Sequence, residues 1–306
     1  MSPLKLAGYV DLPAHTGKGG FDHADVHAAT GHVYVAHTAN STIDVFDPRR
    51  RQFLHSIADL PSVAGALVSN QDQLVFASNR AANTLGVFAP GANPEVKRFD
   101  VGLKPNGIAY DAARKRVLVA NIGDPAIAGS HTLTMIDLGA GTRTEVPLPG
   151  STRWSVYDKG RELFYVNISQ PSQIVVVDAK QPDRIARTIP VAQAGAHGLD
   201  LDGERLFCAC DSGVLVTFDA SSGKVLNEGP LSGRPDVTWF NRQRKQLYVA
   251  VGDPGVIDVF STETMQRLAV VPTERGAHTT AISPDGDWIC AFLPETHRAA
   301  MYEIGA

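Results

Sequence analysis

Four residues spread along this 306-residue chain have the types to hold a metal ion between them: His23, His197, Asp236 and His278. Imidazole nitrogen suits Zn, Fe or Cu, and a carboxylate adds the hard oxygen that Mn also accepts. Three histidines and one carboxylate would hold a divalent transition metal and leave a position for water. Such an ion polarises a carbonyl and brings the pKa of its bound water toward neutrality. The proton would pass to a base, His37 first, or Asp236 if it is not a ligand. Arg153 can grip a carboxylate or phosphate through its two-pronged guanidinium, with Arg80 reaching the same rim. Asn106 would orient a polar group, and Trp154 would form a wall.

One of the four lies in "FDHADVH", Phe21 to His27, where two histidines and two aspartates crowd together. Only His23 is read as a ligand there. Asp22 is a turn acceptor or a partner standing behind a ligand. Asp25 and His27 alternate along a strand and are expected to hydrogen-bond a neighbouring unit.

Residues this far apart meet only if a repeating architecture brings them together. The segment "HADVHAATGHVYVAHTANSTIDVFD" consists of a short apolar strand, a turn, a β-branched strand, a loop and a strand ending near Asp. The same order returns in "NGIAYDAARKRVLVANIGD", "RWSVYDKGRELFYVNISQPSQIVVVDA" and "HGLDLDGERLFCACDSGVLVTFDASSG". The apolar spacing is two rather than three or four, with Val, Ile, Tyr and Phe dominant, so the units are strands. Aligning the residue before each first strand gives His23, Ala64, Asn106, Arg153, His197, Asp236 and His278, spaced 39 to 47 residues apart. That period predicts an all-β, seven-bladed β-propeller, residues 1–306 forming one domain. The N-terminal strand in "LKLAGYVDL" is expected to join the last blade and close the ring.

In such a wheel the first strand of each blade lines the central channel. The aligned position then forms a ring at one mouth, with His197, Asp236, His278 and His23 on four consecutive blades. The ends of the second strands form another ring: His37, Ser78, Asn121, Asn167, Cys210, Val251 and Phe292.

The segments "VLVANIGD…TLTMIDLGAG" and "VYVAHTANSTIDVFD", with the lead-in "GLKPNGIAY", resemble YVTN-type seven-bladed propellers along nearly the whole chain. The resemblance implies the fold. Family members include lactonase-like enzymes, metal-binding proteins and non-catalytic interaction proteins, so it also directs the functional expectation toward ester or lactone hydrolysis of a small anionic or polar substrate. A His-ligated metal oxidoreductase and a non-catalytic propeller that binds a protein or small ligand remain open as alternatives.

Composition narrows the partners. The formal charge is −4, without a basic block, so no nucleic-acid partner is expected. No apolar run approaches the roughly 18 residues of a membrane span. The start lacks an apolar leader, and the chain reads as cytoplasmic. Cys208, Cys210 and Cys290 show neither redox nor zinc spacing and are expected to be buried, inert thiols.

Overall fold

The computed structural model describes residues 2–17 and 19–305. Seven four-stranded antiparallel sheets follow one another around an axis. Blade one runs Phe21–His27, His32–His37, Thr42–Asp47 and Gln52–Ile57. The innermost strands of blades two to seven are Val63–Ser69, Pro105–Asp111, Thr152–Asp158, Ala196–Leu201, Arg234–Asn241 and Thr280–Ile282. The strand Leu4–Asp11 pairs with Arg298–Ile304 as the outermost strand of blade seven, and the ring closes as expected.

The strand order follows from burial. The second strand of each blade lies between two neighbouring sheets, so both its faces are covered and its middle reads as a continuous apolar run, as in residues 33–36 of His32–His37 and 206–210 of Arg205–Cys210. The outermost strands are largely exposed and can turn polar, as in Thr142–Pro147. Apolar clusters therefore form between blades: Trp154, Tyr165, Leu199, Phe218 and Val237 join blades four, five and six. Each fully buried Val, Ile or Phe contributes about 1.5–3 kcal/mol relative to exposure.

Recurrent aspartates after the strands set the turns. Asp47 Oδ1 accepts the backbone N–H groups of Arg49 and Arg50 at 2.9 and 3.0 Å, and Asp137 Oδ1 accepts those of Gly139 and Ala140 at 3.0 and 2.9 Å. The expected bonds between blades also form. Asp25 Oδ2 accepts Val68 N–H at 2.7 Å, and His27 Nε2 lies 2.7 Å from Gln73 Oε1.

The innermost strands of blades one to six slip register near the mouth. In blade one Phe21 faces His37 but Ala24 faces Val35, so one extra residue sits on the inner strand. The same slip occurs in blades two to six. It brings the bulged strand close to the next blade. A Cβ on Gly65, Gly107 or Gly198 would lie 2.5, 2.8 or 2.2 Å from the carbonyl oxygen of Asn106, Arg153 or Asp236 respectively. Gly198→Ala is therefore expected to cost about 2–3 kcal/mol in urea unfolding, through forced separation of blades five and six. An unchanged midpoint would show that the blades do not need this approach.

All three cysteines are free and buried. Hydrogen bonding to Cys210 and burial push the Cys208 thiol up, and burial pushes Cys290 up to about 12. A thiol reagent should modify none of them in the native protein and all three after denaturation.

Candidate functional site

The slip in register fixes which side chain of each blade reaches the mouth. Counting from the strand pairs, the equivalent residues are Asp22, Ala64, Asn106, Arg153, His197, Asp236 and His278. The expectation held His23 in this ring; the position belongs to Asp22. His23 stands one residue further along, level with Gly65, Gly107, Trp154 and Gly198. There its ring packs on Trp154 with centroids 4.1 Å apart. Together the two plug the channel beneath the mouth. Burial keeps the His23 pKa below the ordinary imidazole value despite Asp22 and Asp236.

The second-strand positions also shift by one in three blades. The residues opposite Val63 and Thr152 are Asn79 and Ile168, and Leu293 ends the corresponding strand of blade seven, instead of Ser78, Asn167 and Phe292.

The corrected ring holds two imidazoles and two carboxylates in alternation, His197, Asp236, His278 and Asp22. A repeated "Gly-Ala-His" prepares both histidines. Gly195 and Gly276 adopt φ of 72° and 83°, a left-handed turn that side chains disfavour. In blade five a Cβ on Gly195 would lie 2.6 Å from Asp211 Cβ, so glycine lets Asp211 approach. His197 Nδ1 then bonds Asp211 Oδ1 at 2.7 Å, and Arg234 Nε bonds the same oxygen at 2.9 Å. Burial would raise Asp211, but His197 and Arg234 hold it down to about 2. In blade seven His278 Nδ1 donates to Gly276 O at 2.7 Å. Burial would lower His278, yet Asp236, Asp22 and the Gly276 bond more than offset it and keep its pKa raised.

Both imidazoles thus have Nδ1 anchored and Nε2 directed toward Asp236. His197 Nε2 lies 3.4 Å from Asp236 Oδ1, and His278 Nε2 lies 3.9 Å from Oδ2. These are ion-pair separations longer than an ordinary hydrogen bond, with room for a third group at the inner nitrogens.

Arg80 completes the opposite side. Blade two offers only Ala64 at the ring, and the small side chain leaves a gap. Arg80 fills it, bonding Asp22 Oδ2 at 3.0 Å and also Asn106 Oδ1. Burial would raise Asp22, but Arg80, His23 and His278 together lower it. Arg153 occupies the ring position of blade four, with its Nε buried and unpartnered. It also lines a surface groove with Asp211 and Ser172.

The four expected ligands do not gather around one point. The two histidines address opposite oxygens of Asp236, His23 lies a level deeper, and the Arg80 guanidinium already supplies positive charge beside Asp22. Among the described residues, no group of three or more His, Cys, Asp or Glu is placed to hold a metal ion. The donor set expected from sequence thus does not fit a shared ion, and no chemical step is assigned to one.

His37, expected as the base, turns away from the mouth. Its Nδ1 bonds Asp44 Oδ2 at 2.7 Å, and its Nε2 lies 2.9 Å from His15 Nδ1, which is 3.3 Å from His297 Nδ1. Phe21 stacks on it at 4.4 Å. This cluster sits where blades one and seven join.

Asp211 and Arg234 had no place in the sequence expectation. The signal for them was the second "Gly-Ala-His", whose two copies mark blades five and seven as alike, together with the Asp that follows the strand Arg205–Cys210.

No family model matches the chain, and no curated protein matches it. Solved structures do. A chain of the Kuenenia stuttgartiensis hydrazine synthase is similar with a TM-score of 0.79 at 15% identity, covering 97% of each chain. A chain of a mitotic checkpoint complex is similar with a TM-score of 0.83 at 10% identity, covering 99% of this chain and 92% of that one. At such identities the likeness concerns architecture: the chain is a seven-bladed β-propeller.

Proposed function

We propose that the mouth is the active site of a hydrolase acting on a small anionic ester or lactone, with His197 as general base and His278 as general acid. The observation behind this reading is the Asp211–His197 pair. With Nδ1–H donated to Asp211, the neutral imidazole has its lone pair on Nε2, facing the axis. A water between His197 and a substrate carbonyl would lose its proton to Nε2 as its oxygen attacks the carbon. The ester bond then breaks, and protonated His278 returns a proton to the leaving alkoxide from its own Nε2. One imidazole set up as acceptor and one with a raised pKa are the division of labour such a reaction needs. Arg153, whose Nε has no partner, would bind the substrate's anionic group, and Asn106 its polar edge.

The choice of lactones and esters leans on the resemblance to YVTN-type propellers with lactonase-like members. The test is hydrolysis of a panel of anionic lactones and esters followed by proton release. Turnover that disappears in His197→Gln supports the reading. Background rates throughout, identical in the variant, would overturn it. Metal analysis of the purified chain belongs to the same experiment, and a stoichiometric transition metal would return His197, Asp236 and His278 to the role of ligands.

The pH profile follows from His278. Its raised pKa keeps it protonated to higher pH than a free imidazole, whose pKa is about 6.5. Activity should fall as pH rises through the raised value, and His278→Gln should remove that limb while lowering the plateau.

A second reading, ligand binding without turnover, draws on the charge balance of the mouth. Arg80 is already satisfied by Asp22 and Asn106, and Arg234 by Asp211. It predicts that a small dicarboxylate raises the melting temperature with no product formed, and that Arg153→Met abolishes the effect.

A further inference from the structure

Beneath the His23–Trp154 plug the channel contains a cavity of about 520 Å³. It opens beside Asn70, Gln71 and Ala112, where the inner strands of blades two and three end, on the face opposite the mouth. Trp154 and Trp239 meet edge to face at 6.1 Å in its wall, and Tyr110 and Tyr157 contribute further aromatic surface.

Two carboxylates line this space, Asp25 and Asp200, and among the described residues neither Lys nor Arg does. Both lie deep along the axis yet remain partly accessible, because they face the cavity. Each accepts two backbone N–H bonds. Asp25 takes those of Val26 and Val68, both at 2.7 Å, and Asp200 takes those of Leu201 and Phe240 at 2.8 and 2.6 Å. A carboxylate has about four lone-pair sites, so half its accepting capacity stays open toward the cavity. Burial pushes Asp200 up to about 7, a sign of an anion lacking a compensating charge.

The fold itself does not require these acids. The strand register places Leu67, Ala109, Val156, Trp239 and Ala281 at the same position in the other five blades. Those blades pack without the brace; in blades one and five each aspartate bonds the next blade through one oxygen and keeps lone pairs open toward the cavity.

We propose that the lower channel binds a small organic ammonium, its charge held by Asp200, its apolar body against the aromatic wall, and Asp25 adding to the acidic lining. Ammonium groups are attracted both to carboxylates and to the faces of Trp and Tyr. A cavity with acidic and aromatic walls, whose one imidazole, His23, is kept below its ordinary pKa by burial, selects such a cation over an anion or a neutral molecule of the same shape. This site is separate from the mouth and does not depend on the reaction proposed there.

The probe is phenethylammonium, titrated into the full chain at pH 8 and followed by tryptophan fluorescence and calorimetry, with 2-phenylethanol as its neutral counterpart. Saturable binding at least about tenfold tighter for the ammonium is expected. Asp200→Asn should remove that preference while leaving the alcohol's binding unchanged, and His197→Gln should leave both unchanged. Equal binding of the two probes by the native protein, or no saturable signal up to about 10 mM, would overturn the proposal whether or not Asp200→Asn folds. Loss of ammonium binding in His197→Gln would place the cation at the mouth and would also overturn it.

Discussion

Asparagine in place of Asp211 is expected to lower kcat for the hydrolysed ester or lactone by about 10²–10⁴-fold, with KM moving only a few-fold. The carboxylate receives the Nδ1–H of His197 at 2.7 Å. An amide of the same shape can present its NH2 group there instead. That would favour the tautomer with the proton on Nε2, the nitrogen that must accept one. Because His197 and Arg234 hold Asp211 down to about 2, it stays ionised through the whole working range, and the native tautomer with it. A low-field Nδ1 proton signal from His197 should vanish with the activity. Arg234→Gln is the control. It removes a cation from Asp211 but leaves the pair with His197 intact, so its loss should stay below about tenfold. Equal losses in the two variants would mean that Asp211 serves the mouth through charge alone, and the base would have to be sought elsewhere.

The largest stability effect is expected at Arg80. Its side chain is 28% exposed and that of its partner Asp22 is 16% exposed. Arg80→Met should cost about 2–4 kcal/mol in urea unfolding at neutral pH, since Asp22 keeps its charge without a partner and Asn106 Oδ1 loses its donor. The dependence on pH has a definite sign. In the native protein Asp22 is depressed, so its contribution is present above the unfolded carboxylate pKa and disappears as pH falls through the lower folded value. Without Arg80, burial raises Asp22 and makes its ionised form costly. The gap between variant and native protein should therefore narrow as pH falls below the ordinary carboxylate value of about 4 and close below the depressed native value, where both carry a neutral Asp22. A double variant with Asp22→Asn should recover part of the loss; strictly additive effects would mean that the two do not act as a pair.

The number of blades and their closure could be read from the sequence because they depend on a short-range signal repeated seven times, apolar residues at every second position. The ring was read correctly in six blades and displaced by one residue in blade one. Matching "HADVH" to "HGLDL" by its leading histidine ignores the bulge. Matching Asp25 to Asp200 gives the observed register, and puts Asp22 opposite His197. Bulges are set by pairing with the second strand, and a letter match on one strand does not contain that pairing. Arg80 and Asp211 were harder to place: the first reaches the ring from a loop across the gap left by Ala64, and the second only through the left-handed turn at Gly195. His37 was placed at the right height but on the wrong side of its strand, where Asp44 and His15 claim both ring nitrogens.

The closing strand has a consequence for the order of the chain. Leu4 pairs with Ile304, and Gly305 N–H reaches Pro3 O at 2.9 Å, so the wheel is joined there without a covalent link, by hydrogen bonds and by the packing of Leu4 and Val10 on the last blade. Its seam is packed like the other blades, and only the order of the chain marks it. A short peptide spliced across Pro3 and Gly305, with fresh ends cut between the exposed Ser221 and Ser222, would leave every sheet four-stranded, so a circularly permuted chain should fold to the same ring.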